Sequence, residues 1–228
     1  MPINIGGIGN LDRCFVGDSE VLRIYANNTY SWPSLPRAKV ELLSSAIAEG
    51  DTNTFGPHEP GDLLVVAARS TTNTMPGVPE GFKSAHSSTG GLALRIGYRI
   101  ATTSKTEVGR WSSTAVNSVY VFRNANTTTP FGGIASWGDS KPLGPSITPQ
   151  DTTGDTVMIY GYSNNGTSAG LWGAAPAGLT YLDNTPRMAN LQKNDSTSDG
   201  AKTLPSPAGL VNYRNWVFEV LPDTGAPS

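Results

Sequence analysis

Two stretches of nearly unbroken apolar residues give the chain its main pattern. Each opens with a Gly-Asp pair; with that pair included, the first stretch is residues 61–69 and the second, weaker one is residues 154–162. Both runs are partly β-branched and too short for a helix of normal length, which is typical of a strand buried on both faces. The pattern therefore predicts one buried strand near the start of each of two related halves.

The two halves also match further along the chain. A Pro-x-Gly turn at residues 79–82 corresponds to residues 176–179. An apolar and aromatic run closes each half, at residues 119–123 and 216–220. We interpret these matches as a tandem duplication.

The duplication sets the predicted fold. The similar halves span about residues 61–124 and 154–222, and two copies are too few for a solenoid. Two four-stranded halves that cannot cover their own faces are expected to pack together. We predict an all-β protein, with residues 37–228 forming an antiparallel, jelly-roll-like β-sandwich built from two tandem similar halves.

Residues 92–100 alternate between apolar and other positions. The alternation puts Ile96 on one face of a strand and Arg95 on the opposite face. This is the pattern of a half-buried antiparallel strand, with its apolar face toward the core.

Residues 37–49 allow two interpretations. Their apolar positions have helical spacing, and Gly50 could cap a helix that ends there. A strand at residues 39–43 competes with that helix. The strand is favoured because no capping Ser, Thr or Asp stands just before the segment and the surrounding chain is β.

A smaller repeat occupies the N-terminal part of the chain, where residues 13–21 correspond to residues 23–31. The pairs at residues 17–18 and 27–28 tolerate left-handed backbone, so each copy is predicted to be a tight hairpin. Two small hairpins are marginally stable alone and are expected to lie against other surface.

We therefore assign residues 1–36 to an N-terminal hairpin extension that acts as a docking arm. Residues 32–36 contain two prolines and form a stiff extended link, which we take as the domain boundary. The candidate interface residues of the arm are Phe15, Ile24, Tyr25, Tyr30 and Trp32.

Composition and charge exclude several classes of function. Charged residues make up 15% of the chain and the net charge is −2, without a basic stripe, so nucleic acid and anionic membranes are not expected partners. The single cysteine, Cys14, excludes an internal disulfide and is expected to be a small core residue. The start has no signal-peptide pattern, and no stretch predicts membrane insertion.

Candidate chemistry is sparse. His58 and His86 have no Cys or carboxylate at ligand spacing and are interpreted as polar loop residues. No acid and base pair for glycoside hydrolysis is recognisable, since most acidic residues stand in turns. We predict no catalytic residues, no metal site and no cofactor.

Tryptophans are the remaining candidates for ligand contact. Trp111, Trp137, Trp172 and Trp216 could form an aromatic platform for sugars, but they are equally suited to core or interface positions. Trp216 belongs to a strand core by its pattern. The candidate glycan contacts are therefore Trp137 and Trp172.

These motifs resemble the duplicated β-sandwich domains that are common in minor tail and decoration proteins of tailed bacteriophages. The resemblance rests on GDLLVV at residues 61–66, PEGF at 79–82, LALRIGYR at 92–99 and SVYVFRN at 118–124. The hairpin repeat, which ends in YSWP at residues 30–33, is similar to a leader found at the start of actinobacteriophage tail-tip proteins.

The resemblance implies a structural virion protein without catalytic residues or cofactor, and most specifically a minor tail protein that attaches by its N-terminal arm. A capsid decoration protein and a host-glycan-binding module of the tail are the alternatives. The implied partners are other phage structural proteins, further copies of the chain in a trimer or larger symmetric assembly, and a host-surface glycan. The expected location is the virion, which is assembled in the host cytoplasm.

Overall fold

The computed structural model describes residues 37–166, 170–193, 200–207 and 212–223, and within the first 36 residues it describes the backbone of four strands. The chain divides into two compact units, of which the second spans Ala38–Thr224. Within these described ranges every regular element is a strand. The same ranges contain no helix long and apolar enough to cross a membrane.

The N-terminal unit holds one antiparallel sheet. Its strands are β1 (Ile3–Asn4), β2 (Asn10–Val16), β3 (Ser19–Ala26) and β4 (Thr29–Ser31), and they pair in chain order. Val16 pairs with Ser19 and Ala26 pairs with Thr29, so two residues separate β2 from β3 and β3 from β4. Both predicted hairpins are therefore present, and they share β3.

The second unit begins with a five-stranded antiparallel sheet. Its strands are β5 (Glu41–Glu49), β6 (Leu63–Arg69), β7 (Lys83–Ser88), β8 (Leu94–Ile100) and β9 (Val116–Arg123), in the order β5-β9-β6-β8-β7. All residues of the central strand β6 are buried, as its apolar run predicted. The strand β5 shows that the helical interpretation of residues 37–49 was wrong.

A second five-stranded antiparallel sheet follows. Its strands are β10 (Phe131–Asp139), β12 (Val157–Asn164), β13 (Thr180–Asn184), β14 (Met188–Lys193) and β16 (Tyr213–Val220), in the order β10-β16-β12-β14-β13. The short strands β11 (Leu143–Gly144) and β15 (Lys202–Thr203) pair separately. The central strand β12 is buried throughout, like β6.

The two sheets have the same topology. In both, the first strand of the half lies at one edge, the last strand lies beside it, and the strand after the Gly-Asp pair is central. The first and third strands of each half also carry a bulge at matching positions. The predicted all-β sandwich of two tandem halves is confirmed, but each half has five strands rather than four, because β5 and β10 open the halves earlier than expected.

Three hydrophobic cores result from this arrangement. Val65 of β6 and Ile159 of β12 belong to the central core between the sheets. The alternate residues Leu64 and Tyr160 point to the outer faces, where each half has a core of its own. Loop residues cover these outer faces, namely Phe55, Val108 and Trp111 in the first half and Trp172, Leu179 and Leu204 in the second. Each sheet is therefore buried on both faces by its own chain.

The matching Pro-x-Gly turns help to cover the outer faces. Gly81 and Gly178 have φ values of 84° and 82°, which glycine adopts at no steric cost. In each turn the amide of the next residue donates to the proline carbonyl, at 3.2 Å and 3.1 Å, as in a type II turn. The turn directs Phe82 in one half and Leu179 in the other onto the outer core.

Two buried arginines connect the halves. Arg214 of β16 donates to the carbonyl oxygen of Leu92 at 2.6 Å and to the hydroxyl of Ser88 at 2.9 Å, both in the first half. Arg69 of β6, in the first half, donates to the carbonyl oxygen of Asn164 in the second half at 2.7 Å. These charge-assisted hydrogen bonds hold the β7–β8 connection and the end of β12 in place.

Candidate functional site

The two halves meet along two seams. At one seam β7 lies beside β10, and at the other β5 lies beside β13. Exchange of the halves converts one seam into the other, because β5 corresponds to β10 and β7 corresponds to β13. The halves are therefore related by an approximate twofold.

A side-chain hydrogen bond crosses each seam. His86 Nε2 lies 2.8 Å from Ser136 Oγ at the β7–β10 seam. Ser45 Oγ donates to Asp183 Oδ2 at 2.6 Å at the β5–β13 seam. His86 and Asp183 follow the bulges of equivalent strands, so an imidazole at one seam stands where a carboxylate stands at the other.

A groove with a volume of about 520 Å³ opens along the β7–β10 seam, and we call it the seam groove. One wall comes from β7 and β8 and contains His86 and Tyr98. The other wall comes from the start of the second half and contains Thr128, Thr129 and Phe131. Neither half alone could form it.

The walls of the seam groove are held by the surrounding structure. Asn126 Oδ1 accepts hydrogen bonds from the amides of Thr128 and Thr129, both at 2.9 Å, and so fixes the turn before β10. Phe131 packs edge to face with Tyr98, with ring centroids 5.3 Å apart, and with Phe218 at 5.7 Å. The groove is therefore formed before any ligand arrives.

Several polar groups of the seam groove have no protein partner. Among the described residues, none accepts from or donates to the hydroxyls of Tyr98, Thr128 or Thr129. His86 uses Nε2 in its hydrogen bond to Ser136 and leaves Nδ1 without a protein partner. These groups are available to a ligand or to water.

The seam groove is also free of charge near neutral pH. Partial burial, together with the positive charge of Arg214, lowers the pKa of His86 below its ordinary value of 6.5. The imidazole is therefore neutral at pH 7. Among the described residues that line the groove, there is no Asp, Glu, Lys or Arg.

We expect acidification to destabilise the fold through His86. The unfolded chain takes up this proton near pH 6.5, whereas the folded protein takes it up at lower pH, so stability falls as the pH drops through that interval. His86→Gln keeps a polar group near Ser136 and should reduce this pH dependence. The measurement is the urea midpoint of both proteins at about pH 7.5 and about pH 5.5. An equal loss of stability in both proteins would assign the effect to other groups.

The tryptophans predicted as glycan contacts have different environments. Trp172 is 3% exposed and packs against Tyr162 and Tyr213 in the outer core of the second half. The prediction of a glycan contact at Trp172 was therefore wrong, because no ring face is free to stack on a sugar. Trp137, on β10, is 45% exposed, and a glycan contact there stays a prediction.

Trp32 and the side chains of Phe15, Ile24, Tyr25 and Tyr30 lie outside the described residues. Their role in docking stays a prediction.

Of the two histidines interpreted as polar loop residues, only one lies in a loop. His86 lies in β7 at the seam. His58 does lie in a loop, but it is 5% exposed, with Nδ1 2.9 Å from the carbonyl oxygen of Gly56 and its ring edge to face with Phe55. No local pattern marks His86 as special, because its groove partners are distant in sequence.

The buried carboxylates serve to fix loops. Glu219 accepts from the backbone amides of Gln150 at 2.8 Å and Asp151 at 3.2 Å. Asp62 pairs with Arg123 at 3.1 Å. In the part of the chain that the structure describes, no three His, Cys, Asp or Glu residues cluster in a way that could hold a metal ion.

No protein-family model, curated protein or solved structure matches this chain.

Proposed function

We propose that this protein is a structural component of a tailed-bacteriophage particle. The most specific version of this proposal is that the protein is a minor tail protein at or near the tail tip. It attaches by its N-terminal arm and exposes the sandwich. A capsid decoration protein is the alternative location. In both cases the protein acts by assembly rather than by catalysis, and the proposal includes a symmetric homo-oligomer, a trimer or larger.

The N-terminal sheet is the observation that carries this proposal. It forms a compact unit distinct from Ala38–Thr224. Its described part is a single layer of four strands. A single small sheet cannot bury its apolar residues without a second layer. We propose that this layer is supplied by another virion protein or by a further copy of the chain.

The sandwich supports the proposal in a different way. Its central core and both outer cores are closed by residues of the same unit. Such a unit is expected to stay folded while it projects from a particle. The duplicated fold also agrees with the β-sandwich domains of tail and decoration proteins that the sequence resembles.

Deletion of residues 1–33 tests the docking role. We expect the truncated protein to stay folded, because the sandwich has cores of its own, but to lose incorporation into particles that lack the full-length protein. Co-sedimentation with such particles measures incorporation, and a thermal melt measures folding. Normal incorporation of the truncated protein would exclude docking through the arm, and failure to fold would show that the arm belongs to the core of the sandwich.

Mass spectrometry of purified particles tests the broader proposal. The protein should be present at a fixed ratio to the major structural proteins of the same particle. Its absence from particles that are otherwise complete would contradict a virion role, whatever the truncated protein does. Immunogold labelling of the particles then separates tail from capsid.

A further inference from the structure

We propose that the seam groove is a binding site for a neutral carbohydrate of one to a few sugar units. The site is distinct from the glycan contact predicted at Trp137. It also does not depend on the virion role, since it requires only the folded Ala38–Thr224 unit.

The absence of charge selects the class of ligand. The described lining residues include no acidic or basic side chain, and the only titratable group that changes charge near neutrality, His86, is held neutral. An ionic ligand would give up part of its hydration in this groove without meeting a charged side chain among the described lining residues. A neutral ligand avoids that cost.

The pattern of lining groups narrows the class further. Tyr98 and Phe131 offer aromatic surface, and the hydroxyls of Thr128 and Thr129 together with His86 Nδ1 are unpaired. A sugar has the complementary structure, because its ring presents apolar C–H groups on its faces and hydroxyls around its edge. Aromatic side chains next to a few placed polar groups are what such a ligand requires.

The size and rigidity of the seam groove agree with this ligand. Its volume of about 520 Å³ lies within the range of roughly 300 to 1,000 Å³ that small-ligand pockets occupy. The Asn126 turn and the edge-to-face contacts among the rings of Tyr98, Phe131 and Phe218 fix the walls in advance. Preformed walls reduce the ordering cost of binding.

Addition of a peptide strand is disfavoured at the same place. β7 and β10 are edge strands, and their outer backbone groups could in principle pair with a peptide. Both strands are interrupted there, by a bulge between Ser84 and His86 and another between Phe131 and Ile134. Bulges break the regular ladder that strand addition needs. Side chains are therefore the groups that contact the ligand.

The experiment is a binding titration of the full chain with neutral disaccharides and trisaccharides of hexoses and N-acetylhexosamines. Sialylated and sulfated oligosaccharides of the same length are the charged comparison. The test variant is Thr128→Val with Thr129→Val, which removes two hydroxyls and keeps the side-chain shape. Thr152→Val, an exposed threonine outside the groove, is the matched control, and Trp137→Ala reports on the other predicted contact.

We expect at least one neutral oligosaccharide to bind, and to bind about tenfold or more weakly to the double threonine variant. Thr152→Val and Trp137→Ala should leave its affinity unchanged. In NMR titrations with that oligosaccharide, the amide resonances of Ala85 and Gly132 should shift. Without ligand, the natural protein and the variants should have equal melting temperatures. Failure of every neutral saccharide to bind, preference for the charged ones, loss of binding in Trp137→Ala, or unchanged binding in the double variant would each overturn the proposal.

Discussion

Replacing Ile96 with aspartate is expected to lower the free energy of unfolding by about 4 kcal/mol or more, which for many domains is a large part of the total. Ile96 is completely buried in the central core, where it pairs with Ala67 on the neighbouring strand. An aspartate there would be an unpaired charge away from water, or would have to take up a proton. Urea denaturation of the variant measures the loss.

Arg95→Ser, one residue earlier on the same strand, is the control. Arg95 lies on the opposite face, is partly exposed, and its buried Nε makes no hydrogen bond in the described structure. Its replacement should cost about 1 kcal/mol or less. Equal losses in the two variants would contradict the assignment of the faces of β8.

Replacing Gly161 with alanine is expected to cost about 3 kcal/mol. Gly161 on β12 pairs directly with Trp216 on β16, and the indole lies over the glycine. A Cβ at Gly161 would overlap Trp216 Cε2, so the buried indole or the strand must move. Overpacking of a core typically costs about 1 to 3 kcal/mol, and a strand between two others has little room to shift. Denaturant unfolding measures the change.

Two further variants make this test specific. Gly200→Ala meets no atom within 4 Å and should leave stability nearly unchanged. Trp216→Phe removes the atoms nearest to Gly161, so Gly161→Ala should cost less in that background than in the natural protein. Additive losses in the double variant would show that the indole is not the obstacle.

The sequence predicts the strands that have a clear hydrophobic pattern. The buried run at β6, the alternation at β8 and the closing strands β9 and β16 are present where they were predicted. Burial on both faces or on one face leaves a distinct pattern for such strands.

The edge strand β10 lacks such a pattern. It contains the adjacent residues Gly132 and Gly133, which are unfavourable in a regular strand. In the folded protein both occupy the bulge between Phe131 and Ile134. A Cβ at Gly132 would collide with the carboxylate of Glu219, and a Cβ at Gly133 would crowd the side chain of Ile147. The preference for glycine here comes from tertiary packing, which a local pattern cannot show.

The correspondence between the halves is offset by one residue from the match of their Gly-Asp pairs. Aligning the two Gly-Asp pairs would make Leu63 equivalent to Thr156. In the structure Leu63 pairs with Phe122 and Val157 pairs with Val220, and all four belong to the central core. Leu63 therefore corresponds to Val157. An offset of one residue reverses the face of every side chain, so motif matching alone gives the wrong faces.

The seam groove cannot be predicted from the sequence, for a related reason. His86 and Tyr98 come from the first half, whereas Thr128, Thr129 and Phe131 come from the connection between the halves and the strand that follows it. None of these residues is unusual in its local context. Their proximity is a product of how the two sheets pack.

The approximate twofold between the halves has the symmetry that two separate copies of one five-stranded unit would have as a homodimer. In a homodimer both seams would be identical, and any substitution at one would appear at the other. Joining the copies in one polypeptide removes this constraint, so each seam can change alone. The chain shows the result, because a neutral imidazole faces Ser136 at one seam while a carboxylate faces Ser45 at the other. Covalent fusion thus allows one seam to specialise while its counterpart keeps the two sheets together.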